Sequence, residues 1–303
     1  MKKIIFLVLI LSIIVLGFVS LRYDDTVLRD DRLTVTASFY PYYFIATEIG
    51  GDKANVINLT PSGVEPHDYE LTPDDIKKII SSKFIVMNGV VEPWAEKIKD
   101  ILKEYPINIL TQEKTLFSQD YTDEENHKSL DPHIWLSPKL AKLQTDSIAE
   151  EYVKVDPKNS DYYLHNADNL KNKLDSLDKD YQVGLSNCQT KNIVTSHAAF
   201  GYLAKEYGLN QIAISGLTPD AEPSLKELSD TVNFVKKNKI KYIFFESLVS
   251  PKLSETIANE VGAQTLVLNP IEGLTQQETA EGKNYLDIMT ENLKNLTTAL
   301  KCQ

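Results

Sequence analysis

PKNSDYYLHNADNLKNKLDSLDKDYQ, residues 157–182, decides how the rest of the chain is read. It opens on a proline, which suits the first turn of a helix, and then runs on without glycine or a further proline. Lysine, aspartate, leucine and asparagine dominate it, no strand pattern interrupts it, and it reads as one long helix. Residues 137–154 just ahead have the same strand-free texture.

On either side the texture changes. LTVTASF (33–39), ANVINL (54–59), FIVM (84–87) and INIL (107–110) read as buried strands, with helical periodicity after Tyr42, Pro73 and Pro93. Thr72 followed by Pro73 and Asp75 is a helix start, because the threonine can cap and the proline fits the first helical position. A second series follows the long helix: NIVTS (192–196), QIAIS (211–215), YIFF (242–245) and QTLVL (264–268), each leading into a helical stretch. Strands that alternate with helices imply parallel sheets covered on both faces. The expected fold class is therefore α/β: two lobes with parallel-type sheets, an N-terminal lobe over 32–156 and a C-terminal lobe over 187–303. The helix, with linker bounds 157–186, joins them more stiffly than loop crossovers would. The acidic, polar stretch QDYTDEENHKSLD (119–131) is expected to be a mobile loop.

The chain has 303 residues, 42% of them hydrophobic, enough for two ordinary domains with real cores. Its net charge is -11, and the only basic residues before Tyr23 lie in an N-terminal segment free of acids, so the remainder is more acidic still. Such a surface repels nucleic acid. That N-terminal segment, residues 1–22, has two lysines followed by an apolar run from Ile4 to Leu21, the pattern of an export signal. The run is near the length that spans a bilayer and its small-residue cleavage site is poor, with Val15 and Gly17 the best pair. Cleavage and retention as a membrane anchor both stay open. The only cysteines are Cys188 and Cys302. An exported chain permits a disulfide between them, and two unrelated thiols is the other reading.

Five histidines are present, at 67, 127, 133, 165 and 197. His67 lies in GVEPHDYEL, a polar loop after the second strand; His133 in LDPHIWLSP, a turn ahead of a helix; His197 ends NIVTSH, just past a buried strand. Ligands of open α/β sheets bind beyond the carboxyl ends of the strands, where two of these three fall. Three imidazoles with one carboxylate make a tetrahedral site of the kind zinc accepts. His165, inside the long helix, and His127, in the acidic stretch, read as surface residues.

These contexts resemble the zinc-binding proteins of ABC importers, the ZnuA and AdcA type within the TroA-like (cluster A-I) substrate-binding family. The similarity runs from SFYPYYFIATEIGGDKANVINLTPSGVEPHDYELTPDD (38–75) through NGVVEPWAEKI (88–98), DPHIWLSP (131–138) and VTSHAAFGYLAKEYGL (194–209). It continues in GLTPDAEPS (216–224), FFESLVSPKLSETIANEVGA (244–263) and LNPIEGLT (268–275). The resemblance implies a metal site in the cleft between the lobes, held by His67, His133 and His197. Many relatives place an aspartate where this chain has Asn269; the subgroup with an asparagine there uses the glutamate that matches Glu272. A carboxylate suits a divalent cation better than a neutral amide, so Glu272 is the expected fourth ligand, with Gly273 allowing the turn that aims it inward.

The resemblance further implies Zn2+ as the transported ligand, an ABC permease in the membrane as partner, an extracytoplasmic location and a monomer. Manganese carriers of this kind have glutamate at the position of His197, and an imidazole there points to zinc. The lipid-anchored form common among Gram-positive relatives needs a cysteine after the apolar run, and none follows. Many relatives also carry a histidine-rich loop ahead of DPH, whereas this stretch is acidic with His127 alone, so auxiliary zinc capture there is not expected. The rival class is a zinc-dependent hydrolase, with Glu246 as general base. No HExxH motif supports it, and Glu246 reads better as a structural acid, so the chain is expected not to be an enzyme. A manganese-binding or adhesin-type relative is the remaining alternative.

Overall fold

Phe84 to Met87, four buried residues in a row, form the centre of the first sheet. The computed structural model describes residues 32–112, 120–122 and 128–303. Residues 1–22, read from the sequence as an export signal or anchor, and His127 lie outside the described residues. Strands β1 (Leu33–Ala37), β2 (Ala54–Asn58), β3 (Phe84–Met87) and β4 (Asn108–Thr111) pair in the order β2-β1-β3-β4, all parallel. Val35 sits opposite both Val56 and Phe84, and Ile85 opposite Ile109. A strand buried on both faces can be apolar throughout, and the side chains of β3 divide by parity. Phe84 and Val86 enter the main core, while Ile85 and Met87 join Ile79, Trp94, Ile98 and Leu102 in a second core on the opposite face.

Helices α1 (Tyr40–Gly50), α2 (Pro73–Ser81) and α3 (Ala95–Leu102) connect these strands. The first begins at Tyr40, ahead of the periodicity expected after Tyr42, with Pro41 in its first turn. For α2 the start is as read: the Thr72 hydroxyl accepts from Asp75 N at 3.2 Å, and the Asp75 carboxylate accepts from Thr72 N at 3.0 Å.

The acidic stretch is not loop throughout. Its described parts, β5 (Asp120–Thr122) and β6 (Lys128–Leu130), pair antiparallel. Short antiparallel strands can be polar because one face may stay in water, so no apolar run announces them.

After the 3-10 turn Ile134–Leu136 come two helices, α4 (Pro138–Val155) and, beyond a second turn at Pro157–Asn159, α5 (Ser160–Gly184). At 25 residues α5 is ~37 Å long. It buries Tyr163, Ala167, Leu170, Leu174, Leu177 and Tyr181, a stripe at three- and four-residue spacing. Its first half meets α1 and the 3-10 turn Gly51–Lys53 after it: Asn166 Nδ2 donates to Ile49 O at 3.0 Å, and the Tyr162 hydroxyl accepts from Asp52 N at 3.1 Å. Gly51, at φ +46°, allows this approach, since a Cβ there would lie 2.4 Å from the Tyr162 hydroxyl.

The later elements are β7 (Asn192–Thr195), α6 (Gly201–Glu206), β8 (Asn210–Ala213), α7 (Leu225–Asn238), β9 (Tyr242–Phe245), α8 (Lys252–Val261), β10 (Gln264–Val267), α9 (Gln276–Ala280) and α10 (Tyr285–Leu300), the last of which packs on the second half of α5. Tyr181 Oη donates to Met289 O on α10 at 2.7 Å. Parallel pairs β7-β8 and β9-β10 meet where Ser196 Oγ donates to Phe244 O at 3.3 Å. Parity works as in the first sheet: Ile193 and Phe244 enter the main core, Val194 and Ile243 a third one with Val235 and Ile257. One long helix thus backs two parallel lobes and threads a single core through both. Cys188 and Cys302 form a disulfide that ties the chain just past α5 to the end of α10.

Candidate metal centre

Four loops bring their side chains to one point. His67 comes from the loop after β2, His133 from the turn ahead of α4, His197 from just past β7 and Glu272 from the loop after β10. Three of these loops leave carboxyl ends of parallel strands, where helix and strand ends leave room for a ligand. His133, His197 and Glu272 are buried; only the His67 side chain keeps 9% of its surface exposed. The loop carrying His67 docks on the loop carrying Glu272 through Gly63 N, which donates to Leu274 O at 2.8 Å.

Glu272 Oε1 lies 3.3 Å from His67 Nε2, 3.3 Å from His133 Nε2 and 3.6 Å from His197 Nε2. The two buried imidazoles approach Nε2 to Nε2 at 3.3 Å. Ligands about 2.0–2.1 Å from a tetrahedral ion stand roughly 3.3–3.4 Å apart, so three of these four edges match a zinc polyhedron and the edge to His197 is about 0.2 Å longer. The four ligand atoms all lie within 4.8 Å of one another. Apart from the facing imidazoles, neither Glu272 oxygen has a hydrogen-bond partner among the described residues, and His67 Nε2 has none. Buried polar atoms left this way are costly unless a cation completes them.

The other ring nitrogens are already committed. Asp131 Oδ1 accepts from both the backbone N and the Nδ1 of His133, at 3.0 and 2.8 Å. Glu246 Oε1 does the same for His197, at 3.2 and 2.7 Å. With Nδ1 donating to a carboxylate, Nε2 offers its lone pair to the centre, the arrangement by which outer carboxylates orient metal-bound histidines. One carboxylate oxygen of Glu246 is thus committed to His197.

Charge follows the same geometry. Burial opposes charge on His133, but Asp131 and Glu272 outweigh it and raise its pKa above the ordinary imidazole value. Burial of His197 is likewise overcome, by Glu246 and then Glu272, and its pKa lies well above the ordinary value. For Glu272 burial pushes upward, yet the three imidazoles hold its carboxyl well below the usual range. Glu65, in the same loop as His67, is pushed up to about 9 by burial and then by the charge of Glu272. The imidazoles thus favour the anion on Glu272, while burial and that neighbouring charge disfavour it on Glu65.

Asn269, the competing candidate by sequence, is turned away from the centre. Its Oδ1 accepts from Ile271 N at 2.7 Å and its Nδ2 donates to Glu278 Oε1 at 3.2 Å. The turn toward Glu272 is made at Ile271, at φ +58°, and not at Gly273. Glycine is wanted at 273 for space instead, since a Cβ there would stand 3.2 Å from Leu248 Cδ1 and 3.4 Å from Val64 O. His165 lies on α5 against Asn169, away from the centre. Sequence reasoning missed Asp131 as an orienting group, although its spacing two residues before His133 is a usable signal; nothing local marks Glu65 or the role of Glu246.

The family model described as "Zinc-uptake complex component A periplasmic" (ZnuA) matches residues 35–299. The high-affinity zinc uptake system protein ZnuA of Bacillus subtilis is 38% identical over 283 residues, covering 90% of this chain and 89% of its own length. The zinc-binding lipoprotein AdcA of Streptococcus pneumoniae is 40% identical over 282 residues, 88% of this chain, which spans 56% of that relative's length. The crystal structure of the Zn(II)-bound ZnuA-like domain of the S. pneumoniae AdcA superposes with a TM-score of 0.77 at 40% identity, covering 89% of this chain and 99% of that one. With the match spanning both lobes and all four converging loops, this chain belongs to the ZnuA family of zinc-uptake components.

Proposed function

We propose that this chain captures one Zn2+ outside the cytoplasm and delivers it to the permease of an ABC importer, the ion held by His67, His133, His197 and Glu272. The observation that carries this reading is the convergence of three Nε2 atoms and one carboxylate oxygen at edges of 3.3–3.6 Å, with both outer nitrogens of the buried pair fixed by carboxylates. Three neutral imidazoles leave the dication's charge uncompensated; Glu272 halves it, and Asp131 and Glu246 lie one ring further out. Nitrogen donors favour zinc over manganese, which prefers oxygen. The names of the B. subtilis and S. pneumoniae relatives support the same cargo.

Four protein ligands close a tetrahedron, whereas a catalytic zinc keeps one position for water or substrate, so the reading is of a carrier and not an enzyme. The lobes are taken as 32–156 and 187–303 with 157–186 as the joining helix, the protein as a monomer, and residues 1–22 as the element that exports or anchors it. The test is competitive titration of chelator-stripped protein against a zinc indicator. Tight binding of one equivalent is expected, with strong loss in each of His67→Ala, His133→Ala and His197→Ala. A wild-type affinity no better than that of His67→Ala would sink the reading.

A further inference from the structure

His133 and His197 are each aimed by a carboxylate on the far side of the ring, but nothing comparable holds Glu272: its carboxylate meets only the three imidazoles. Its direction must come from the backbone that carries it. That backbone contains an unfavourable step, the β-branched Ile271 in the left-handed region at φ +58°, fully buried. Such a conformation persists only where the surroundings over-determine it. Three interactions do so. Asn269 Oδ1 accepts from Ile271 N at 2.7 Å and closes the turn. Asn292, on α10, clasps residue 269 from behind, its Oδ1 accepting from Asn269 N at 2.8 Å and its Nδ2 donating to Asn269 O at 2.7 Å, as a neighbouring strand would. Pro270 O accepts from Trp135 Nε1 at 2.7 Å.

We infer that Asn269 is a positioning residue for the fourth ligand: clasped by Asn292 and tied to Glu278, its side chain holds the Ile271 turn that delivers Glu272 to the metal. The inference rests on Glu272 being that ligand. It requires an amide and not a carboxylate at 269. Nδ2 donates to Glu278 Oε1 at 3.2 Å, while Glu278 Oε2 accepts from Thr275 N at 2.7 Å in the cap of α9. An aspartate at 269 would keep the acceptor for Ile271 N but set one carboxylate against another. In this frame an aspartate does not become a ligand; it loosens the loop.

Two readouts test this, one of them free of metal. In the stripped protein the Ile271 amide should exchange with solvent slowly in the wild type and at least tenfold faster in Asn269→Ala. Equal exchange in the two proteins would overturn the hold of the Asn269 side chain on the Ile271 turn whether or not zinc binds. In the loaded protein, Asn269→Ala and Asn269→Asp should each weaken zinc by roughly 10–100-fold, the range typical for losing a group that orients a ligand. The double change Asn269→Asp with Glu278→Gln restores a donor opposite an acceptor and should recover most of the loss, which a merely disrupted fold would not do. Wild-type affinity in Asn269→Ala, or tighter binding in Asn269→Asp that survives Glu272→Gln, would make residue 269 something other than a positioning group. Failure of the wild type itself to bind zinc would count against the proposed function, and the exchange experiment would still decide whether the Asn269 side chain holds the turn.

Discussion

Asp131 and Glu246 do the same work on two imidazoles, one oxygen accepting from both the backbone and the ring of its histidine. Glu246→Gln keeps the size but lets the amide face the ring with its wrong end, so zinc affinity should fall by about 10–100-fold with the three histidines still bound. Calorimetric or indicator titration reads this directly, and an unchanged affinity would show that the ring of His197 needs no orienting anion. His197→Glu replaces a nitrogen by a hard oxygen, and the ratio of zinc to manganese affinity should drop. A constant ratio would remove residue 197 from the ligand set. These residues were not equally legible. His133 carries its partner two positions away, whereas Glu246 is 49 residues from His197 and meets it only because β7 lies beside β9. Glu272 is legible through the loop shared with relatives, where Gly273 is the residue that sequence offers for an inward turn. The turn is at Ile271, because a pair of asparagine amides can hold a residue where steric preference alone would put glycine.

At the scale of elements, the start of α2 was readable because a capping box is local: every partner lies within four residues. Burial pushes the Asp75 carboxyl upward, but hydrogen bonds from Thr72, Tyr69 and Lys78 overcome it and bring the pKa to about 2 from 3.8. A depressed folded pKa means the stabilisation is fully present above about pH 4 and is lost as pH falls through about 2. Asp75→Asn should therefore cost ~1–2 kcal/mol in urea unfolding at pH 7, and the difference should shrink toward nothing near pH 2. A gap that stays constant with pH would assign the loss to packing. The disulfide closes a separation of 114 residues, and the chain-entropy model gives it up to ~4–5 kcal/mol, an upper figure. Protein recovered from its native compartment should show no free thiol on labelling under denaturing, non-reducing conditions, and should unfold at lower urea once reduced. Two free thiols would end the idea. Where the element reading fell short, the cause is again physical: β5 and β6 are polar and antiparallel, so no apolar run marks them, and α1 starts at Tyr40 because Pro41 fits its first turn.

For the molecule as a whole, the alternation of strands with helices and the uninterrupted helical stretch were enough to read two parallel lobes backed by one helix. All eight strands of the two series lie within two residues of where the apolar runs put them. What no local pattern could convey is how the main core passes between lobes, joining Phe84 and Trp135 to Phe244, Ile271 and Met289, and so fixes four loops at a single point. The central claim is that this point is a closed three-nitrogen, one-oxygen zinc site. Zinc-edge X-ray absorption on stripped protein reloaded with one equivalent tests it most directly. The account predicts four neighbours at about 2.0–2.1 Å with the outer scattering of three imidazoles, and loss of the oxygen contribution in Glu272→Gln. Five or six neighbours, fewer than three imidazoles, or an oxygen shell indifferent to Glu272→Gln would contradict it.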